Sequence, residues 1–340
     1  GGRMAIVVPQ GILANSTAAY LRKWVMSRCR VLAVVGLHPF AFLPYTGVKT
    51  AVLFLERPGR GESVPSDYPV AFVTSREPGK DSRGRAVGRS DYARIGADLA
   101  AFFRKQSRAW AEPVTSEMST ALETVSLSEV MAHDRLDAEY YDHDIRMLHQ
   151  ELRAKAFATL GDKVARSVER FCRTEVGEVD YLDISSVDLR SGVAMPSRIE
   201  AADAPSRATY LVRAGDVLVS TVRPDRNVVA LVTKTGNVPM VASNGFCLLR
   251  AASMAPELLF AFCKTDAFRR LLARRATASM YPAVTDRDVL ETPFVEPDAM
   301  SSAAIIAKVR QGLAMMEAAR ASIATAVTQM ESAVQMDAAR

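Results

Sequence analysis

Residues 210–232 read YLVRAGDVLVSTVRPDRNVVALV, and residues 276–297 read ATASMYPAVTDRDVLETPFVEP. In the first stretch Val212, Val217, Val219 and Val222, then Val228, Val229, Leu231 and Val232, form short alternating runs of β-branched and apolar side chains. Gly215-Asp216 and Pro224-Asp225-Arg226-Asn227 punctuate those runs with residues that favour turns. The pattern predicts a compact β-rich module with a polar, arginine-bearing loop, 220–227, between two strands. A rigid sheet lets such a loop present side chains outward, so function is sought there first.

Working outward, VASNGFCLLRA (241–251), PELLFAFCKTDAFRRLL (256–272), a small-residue turn at Ala278-Ser279 and DRDVLETPFVEP (286–297) follow in order. Together with GDVLVST (215–221) they resemble the target recognition domain of type I restriction-modification specificity subunits. Each motif alone is weak, and their agreement in order carries the signal. The resemblance implies sequence-specific binding of duplex DNA through loops of this domain. The candidate base readers are Ser220, Thr221, Arg223, Arg226 and Asn244, with Ser279, Met280 and Tyr281 on a second loop. Arginine suits guanine and asparagine suits adenine in the major groove. Asn244-Gly245 reads equally as a tight turn, and Tyr281-Pro282 as loop packing.

The 340 residues suit about two domains, and 49% hydrophobic with 24% charged residues is ordinary for a globular chain. A net charge of +5 permits phosphate binding without specifying it. Cys29, Cys172, Cys247 and Cys263 are far apart with no C-x-x-C pair, so they read as buried free thiols in a reducing compartment rather than a zinc site. With no spanning apolar run and no signal-peptide layout, the expected location is cytoplasmic.

From its start the chain reads as strands and helices of an α/β sheet covered on both faces. Met4, Ala5, Ile6, Val7 and Val8 form a buried-strand run, Ser16-Thr17 can cap a helix, and two further strands cover 31–35 and 49–55. GGRMAIVVPQGIL (1–13), LRKWVMSRCRVLAVVGL (21–37), FLPYTGVKTAVLFLER (42–57) and SREPGKDSRGR (75–85) resemble the carboxyl-terminal part of adenine-specific methyltransferases of the type I modification-subunit kind. Such enzymes hold S-adenosylmethionine on a glycine-rich turn and grip the flipped adenine with an (Asn/Asp)-Pro-Pro-(Tyr/Phe) motif. Neither is found, and no Pro-Pro dipeptide occurs. Both motifs are expected to precede residue 1, the chain being a portion of a larger fused enzyme or of a split gene. No cofactor is expected on this chain; S-adenosylmethionine belongs to the complete enzyme.

Residues 58–94 read as a solvated loop, made basic by Arg76, Lys80, Arg83, Arg85 and Arg89; solubility and contact to a DNA backbone are its two readings. A helix over 99–110 closes the first domain. RLDAEYYD (135–142) resembles the entry to specificity modules in fused methyltransferases. His133, His143 and His149 read as exposed helix and turn residues, since a spacing of six does not align two ligands on one helix face. A mostly helical segment is expected over 145–170, and a helix opened by Pro256 is expected to run on through FRRLLARRA (268–276).

The tail places Ile306, Val309, Leu313, Met316, Ile323, Val327, Met330 and Val334 at three-four spacing, with Arg320 in the remaining slot. This is a coiled-coil pattern over about four heptads. It resembles the spacer helix of specificity subunits and implies a partner helix, in this or another chain.

The expected fold class is therefore α/β: a partial methyltransferase (Rossmann-like) sheet, then an α+β target recognition domain and a long C-terminal coiled-coil helix. The expected divisions are 1–115, 116–172 (helical entry), 173–300 (recognition) and 301–340 (spacer). The leading function is DNA recognition within an adenine methyltransferase, with double-stranded DNA and a methyltransferase catalytic half or subunit as partners. The alternative is a non-catalytic assembly subunit that docks a separate methyltransferase through its α/β half and dimerises through its tail.

Overall fold

The structure is a computed structural model describing residues 2–108, 122–165, 169–172, 177–277 and 281–338. The chain folds as two compact units, Gly1–Ala154 with Arg270–Val284, and Lys155–Arg269 with Thr285–Arg340.

In the first unit the strands are β1 (Arg3–Pro9), β2 (Arg30–Gly36), β3 (Thr50–Glu56), β4 (Pro69–Thr74), β5 (Pro78–Lys80), β6 (Ala86–Ser90) and β7 (Leu122–Ser126). Five form one sheet in the order β1-β3-β2-β4-β7, and only β2 and β4 run parallel. The central strand β2 is buried along its whole length, as its unbroken apolar run requires. One face packs Val34, Leu53, Val70 and Phe72 against Tyr141 and Leu136. The other packs Ala33, Val35 and Val73 against Ile95, Leu99 and Phe102 of α3 (Tyr92–Arg108), residues spaced to share one helix side. Helices α1 (Gln10–Ala14) and α2 (Ala19–Arg28) follow β1, and α4 (Leu127–His133) and α5 (His143–Lys155) follow β7.

Three expectations need correcting here. The run Met4 to Val8 is not a buried strand: β1 is a sheet edge paired only with β3, and Met4, Ile6 and Val7 are exposed. Residues 58–94 are not one solvated loop, because the short apolar run 69–74 inside them is the buried strand β4. Within the same stretch Arg76 pairs with Asp142 (2.8 Å), and Lys80 donates to the carbonyls of Ala41 and Leu43, so both are engaged by the protein itself. Helix also does not run on from 145 to 170: α5 ends at Lys155 and a strand, β8 (Ala158–Thr159), follows. The expected helix over 99–110 is the latter part of α3, with Trp110 outside the described residues.

RLDAEYYD acquires a physical meaning in this unit. The Arg135 guanidinium forms a buried ion pair with Asp137 (2.6 Å) and donates to the carbonyls of Arg275 and Ala276. The Tyr141 hydroxyl donates to the Arg135 carbonyl (3.0 Å), so the motif holds the returning segment Arg270–Val284 against its own unit.

The second unit adds β9 (Glu178–Leu182), β10 (Ser197–Glu200), β11 (Ala208–Val212), β12 (Asp216–Ser220), β13 (Val229–Leu231), β14 (Met240–Ser243), β15 (Phe246–Arg250) and β16 (Pro293–Phe294). A four-stranded sheet, β10-β9-β14-β11, lies over a three-stranded one, β13-β12-β15. Leu182, Tyr210, Val212 and Ala242 from the first meet Leu218, Ala230, Phe246 and Leu248 from the second in a shared core. VASNGFCLLR is thus two strands in different sheets, broken at Asn244-Gly245. Short β16 pairs with β8.

The helices are α6 (Pro256–Cys263), α7 (Asp266–Arg275), α8 (Asp286–Leu290) and α9 (Ala299–Ala338). Helix α6 does not continue into α7; it ends with Lys264 N–H bonded to the Phe260 carbonyl, and α7 restarts at Asp266. Helix α9 is tied down near its start by the Arg310–Glu257 pair (2.6 Å) and by Lys234–Glu317. Ile306, Val309 and Leu313 are half-buried, whereas Met316, Ile323, Val327, Met330 and Val334 are exposed. Cys247 and Cys263 are buried and their thiols are pushed up by that burial, while Cys29 is half-buried and Cys172 is exposed, contrary to the expectation that all four are buried. Among the described residues no helix is long and apolar enough to cross a membrane.

Candidate nucleic-acid interface

The loop read first from the sequence leaves the middle strand of the three-stranded sheet. Strand β12 is bonded on both sides, to β13 through Val217↔Leu231 and Val219↔Val229, and to β15 through Asp216↔Arg250 and Ser220↔Phe246. The GDV sequence builds its near end. Gly215 takes φ +91°, which a side chain rarely tolerates, and the Asp216 carboxylate accepts from Arg213 N–H and, through both oxygens, from Arg250 (2.8 Å each). On the far side of β13, Gly192 at φ +71° leaves no room for a side chain, since a Cβ there would lie 2.6 Å from the Phe260 ring.

At the other end of β12 the chain leaves the sheet after Ser220 N–H bonds to the Val228 carbonyl. Ser220 and Thr221 are buried, and their hydroxyls donate to the carbonyls of Val222 (2.8 Å) and Gly245 (3.0 Å). Both hydroxyls are therefore engaged by the chain itself and anchor the loop. Arg223 (φ 50°, ψ 61°) and Asn227 (φ 52°, ψ 48°) are both left-handed and bracket a 3-10 turn, Pro224–Arg226. Asparagine tolerates that conformation, whereas for arginine it is a local strain the surroundings must hold. They do so through Asn227, whose side-chain amide donates to the Lys264 carbonyl (3.0 Å), and through buried Pro224. Asp225 and Arg226 are exposed at the tip, and Arg223 is half-exposed.

Asn244 is exposed in the β14–β15 turn. Thr221 bonds to the adjacent Gly245 carbonyl through both N–H and hydroxyl, which brings this turn to the base of the arginine loop. Arg207 borders the same turn: its carbonyl accepts from Asn244 N–H, and its guanidinium reaches Tyr181 and Asp183. Burial opposes the charge on Asp183, but the hydroxyls and N–H groups of Ser185 and Ser186 hold its carboxyl below the usual range. The second predicted loop belongs to the first unit. A bridge between Thr277 and Ala283 closes it, Tyr281 is exposed, and Ser279 and Met280 lie outside the described residues.

Sequence reasoning missed what holds the loop: the Asp216–Arg250 pair, the left-handed bracket and the Lys264 carbonyl. The first could have been read from an aspartate and an arginine at the matching ends of two runs that pair as strands. The bracket left no sequence signal at Arg223.

Residues 1–138 match the family described as N-6 DNA Methylase. Among solved structures, the chain is 34% identical to the HsdS subunit from Thermoanaerobacter tengcongensis, covering 49% of this chain and 44% of that one at a TM-score of 0.40. It is 33% identical, over the same shares and at a TM-score of 0.41, to a chain from work on complex assembly and conformational transition of the type I R-M system. It is 20% identical to a modification subunit of a putative type I restriction enzyme from Vibrio vulnificus YJ016, covering 41% of this chain and 26% of that one at a TM-score of 0.27. This chain thus spans less than half the length of these relatives. No curated protein matches it. One polypeptide thus carries a stretch that matches N-6 DNA methylases and 34% identity to an HsdS subunit, the two resemblances read from the sequence.

Proposed function

We propose that this chain is the sequence-recognition portion of an adenine-specific, S-adenosylmethionine-dependent DNA methyltransferase of a restriction-modification system. The observation that carries the reading is the loop 221–228: a strained, doubly anchored turn on a three-stranded sheet that holds Arg226 exposed and Arg223 beside it. Such a loop fixes the backbone from which a guanidinium reaches outward, and a guanidinium has the paired donors that bidentate recognition of guanine O6 and N7 needs. Asn244, at the base of the same loop, offers the donor and acceptor that suit adenine N6 and N7. Tyr281, and with it Ser279 and Met280, forms a second candidate reading loop. The family match over residues 1–138 and the 34% identity to a specificity subunit support the reading.

In this reading the first unit is part of a Rossmann-like methyltransferase sheet. The sequence offers neither a glycine-rich cofactor turn with its acidic ribose ligand nor an Asn-Pro-Pro-aromatic motif, so its residues do not fit S-adenosylmethionine. The methyl-transfer chemistry is assigned to a catalytic half or subunit with which this chain works. The exposed apolar edge of β1 and the exposed stripe on α9 favour that assembly role, with a helix of a partner chain or of a second copy along the stripe.

The test begins by selecting bound oligonucleotides from a random duplex pool. Arg226→Ala then weakens binding to the selected site about 5- to 150-fold, the equivalent of about 1–3 kcal/mol, and weakens random duplex far less. Equal losses on both DNAs would reduce Arg226 to a phosphate contact. Methyl incorporation from labelled S-adenosylmethionine by the pure chain would overturn the assignment of chemistry to a partner.

A further inference from the structure

Two segments of the first unit, neither of them part of its five-stranded sheet, lock together. The hairpin β5–β6 turns through Asp81 to Arg85, closed by Asp81 N–H to the Arg85 carbonyl (2.9 Å) and by Gly84 N–H to the Asp81 carbonyl (3.0 Å). Gly84 has φ +79°, and a Cβ there would lie 2.7 Å from the backbone of Leu43 and Pro44. Only glycine lets this turn touch the loop 38–46. The Lys80 ammonium makes a second clasp, donating to the carbonyls of Ala41 and Leu43 (3.0 Å each). The loop is itself wound into successive turns, with N–H groups of Ala41, Leu43 and Tyr45 bonded to the carbonyls of His38, Phe40 and Phe42.

The side chains that this clasp displays take no part in holding it. Arg83 and Arg85 flank Gly84, are exposed, and make no ion pair among the described residues. Asp81, the carboxylate within the turn, has Oδ1 taken by the N–H groups of Arg83 (2.8 Å) and Arg85 (2.9 Å). Tyr45 follows the proline that Gly84 touches, and it is 92% exposed. Two cations and an aromatic ring thus stand within one residue of a contact that only glycine permits. Lys80 and Gly84 fix the backbone, and Arg83, Arg85 and Tyr45 are presented from it. A ring left in water and two guanidinium groups without a counter-charge are together what a polyanion with apolar patches would cover.

We propose that this clasp holds one strand of duplex DNA, with Arg83 and Arg85 on phosphate oxygens and the Tyr45 ring against a neighbouring deoxyribose. The proposal rests on the DNA-recognition reading above and gives a DNA contact to the unit that reading leaves without one. Charge complementarity selects the partner, since a guanidinium donates in pairs to phosphate oxygens while the sugar offers an apolar surface. Phosphate and sugar carry no base information, so the clasp positions the duplex while other residues read it.

The experiment measures the dissociation constant of the full chain for the selected site and for a random duplex of equal length, as a function of salt. Each phosphate contact contributes about 0.9 to the slope of log affinity against log salt. Arg83→Gln with Arg85→Gln, both at exposed positions, lowers that slope by roughly 1–2 on both DNAs and leaves their affinity ratio unchanged. Tyr45→Ala weakens both DNAs by an equal factor at an unaltered slope, because the ring carries no charge, and Tyr45→Phe restores binding. Slopes unmoved by the arginine changes overturn the clasp as a DNA contact, as they would if it met an acidic protein surface instead, and leave the recognition reading standing. A changed ratio between the two DNAs overturns it as well, since these residues would then read sequence. Absence of binding to any duplex by the unaltered chain sinks the recognition reading and this contact with it.

Discussion

Replacing Arg223 by glycine separates what the arginine loop costs the fold from what the proposed function asks of it. At φ 50° and ψ 61° Arg223 occupies the left-handed region, which costs an L-residue about 1–2 kcal/mol. Glycine removes that cost but loses more backbone freedom on folding, about 0.5–1 kcal/mol. The net expectation is a gain of about 0.5–1 kcal/mol, and for a unit of this size a rise in melting temperature of roughly 1–4 °C. The lost guanidinium at the same time weakens the selected DNA site by about 1–3 kcal/mol, a 5- to 150-fold rise in dissociation constant. Calorimetry and a fluorescence-anisotropy titration on one preparation read both. Stability and binding should move in opposite directions. A fall in melting temperature of more than about 2 °C would mean the arginine side chain, not the backbone around it, holds the loop together. Unchanged affinity would remove Arg223 from the interface.

Asp216→Ala breaks a buried bidentate pair and should cost about 3–5 kcal/mol in urea unfolding, while Asp216→Leu with Arg250→Leu should cost less than either single change. A single-substitution loss below about 1 kcal/mol would show that the pair does not secure the sheet. The first unit should lose stability as pH falls from 6.5 toward about 4, because burial and the cations around His149 hold its folded-state value at the lower figure. Between those values the unfolded chain binds the extra proton, so acid favours unfolding. His149→Gln should flatten that part of the urea-midpoint profile relative to the unaltered chain; identical profiles would refute it. Ile323→Asp with Val327→Asp, both on the exposed stripe of α9, should leave the melting temperature unchanged and lower the sedimenting mass of the chain or of its complex with a methyltransferase chain. Mass unaffected by the substitutions would dismiss the stripe as a seam.

Local periodicity exposed the elements whose partners lie close in the chain. The β12 and β13 runs and the loop between them were legible because 217–219 and 229–231 are unbroken apolar runs on either side of strong turn residues. Elements whose burial depends on distant partners were not. Met4 to Val8 has the composition of a core strand, yet β1 pairs on one side only. Residues 69–74 hide an interior strand inside a polar stretch, visible only once β2 and β7 flank it. The candidate readers divide for the same reason. Ser220 and Arg223 are three residues apart, but the sheet ladder turns the serine inward and the left-handed step carries the arginine out of it.

That division has a consequence for how such a loop can change. The bonds that close it involve Ser220, Thr221, Asn227 and Val228, together with the carbonyls of Gly245 and Lys264. Asp225 and Arg226 supply no side-chain bond to the scaffold among the described residues, so their identity adds little to the stability of the sheet beneath. Substitution there alters the groups exposed at the tip while the anchor points stay fixed. In the proposed reading, the physical separation of tip from anchor lets specificity change at the tip without unfolding the unit, and it confines the structural cost to the strained step at Arg223.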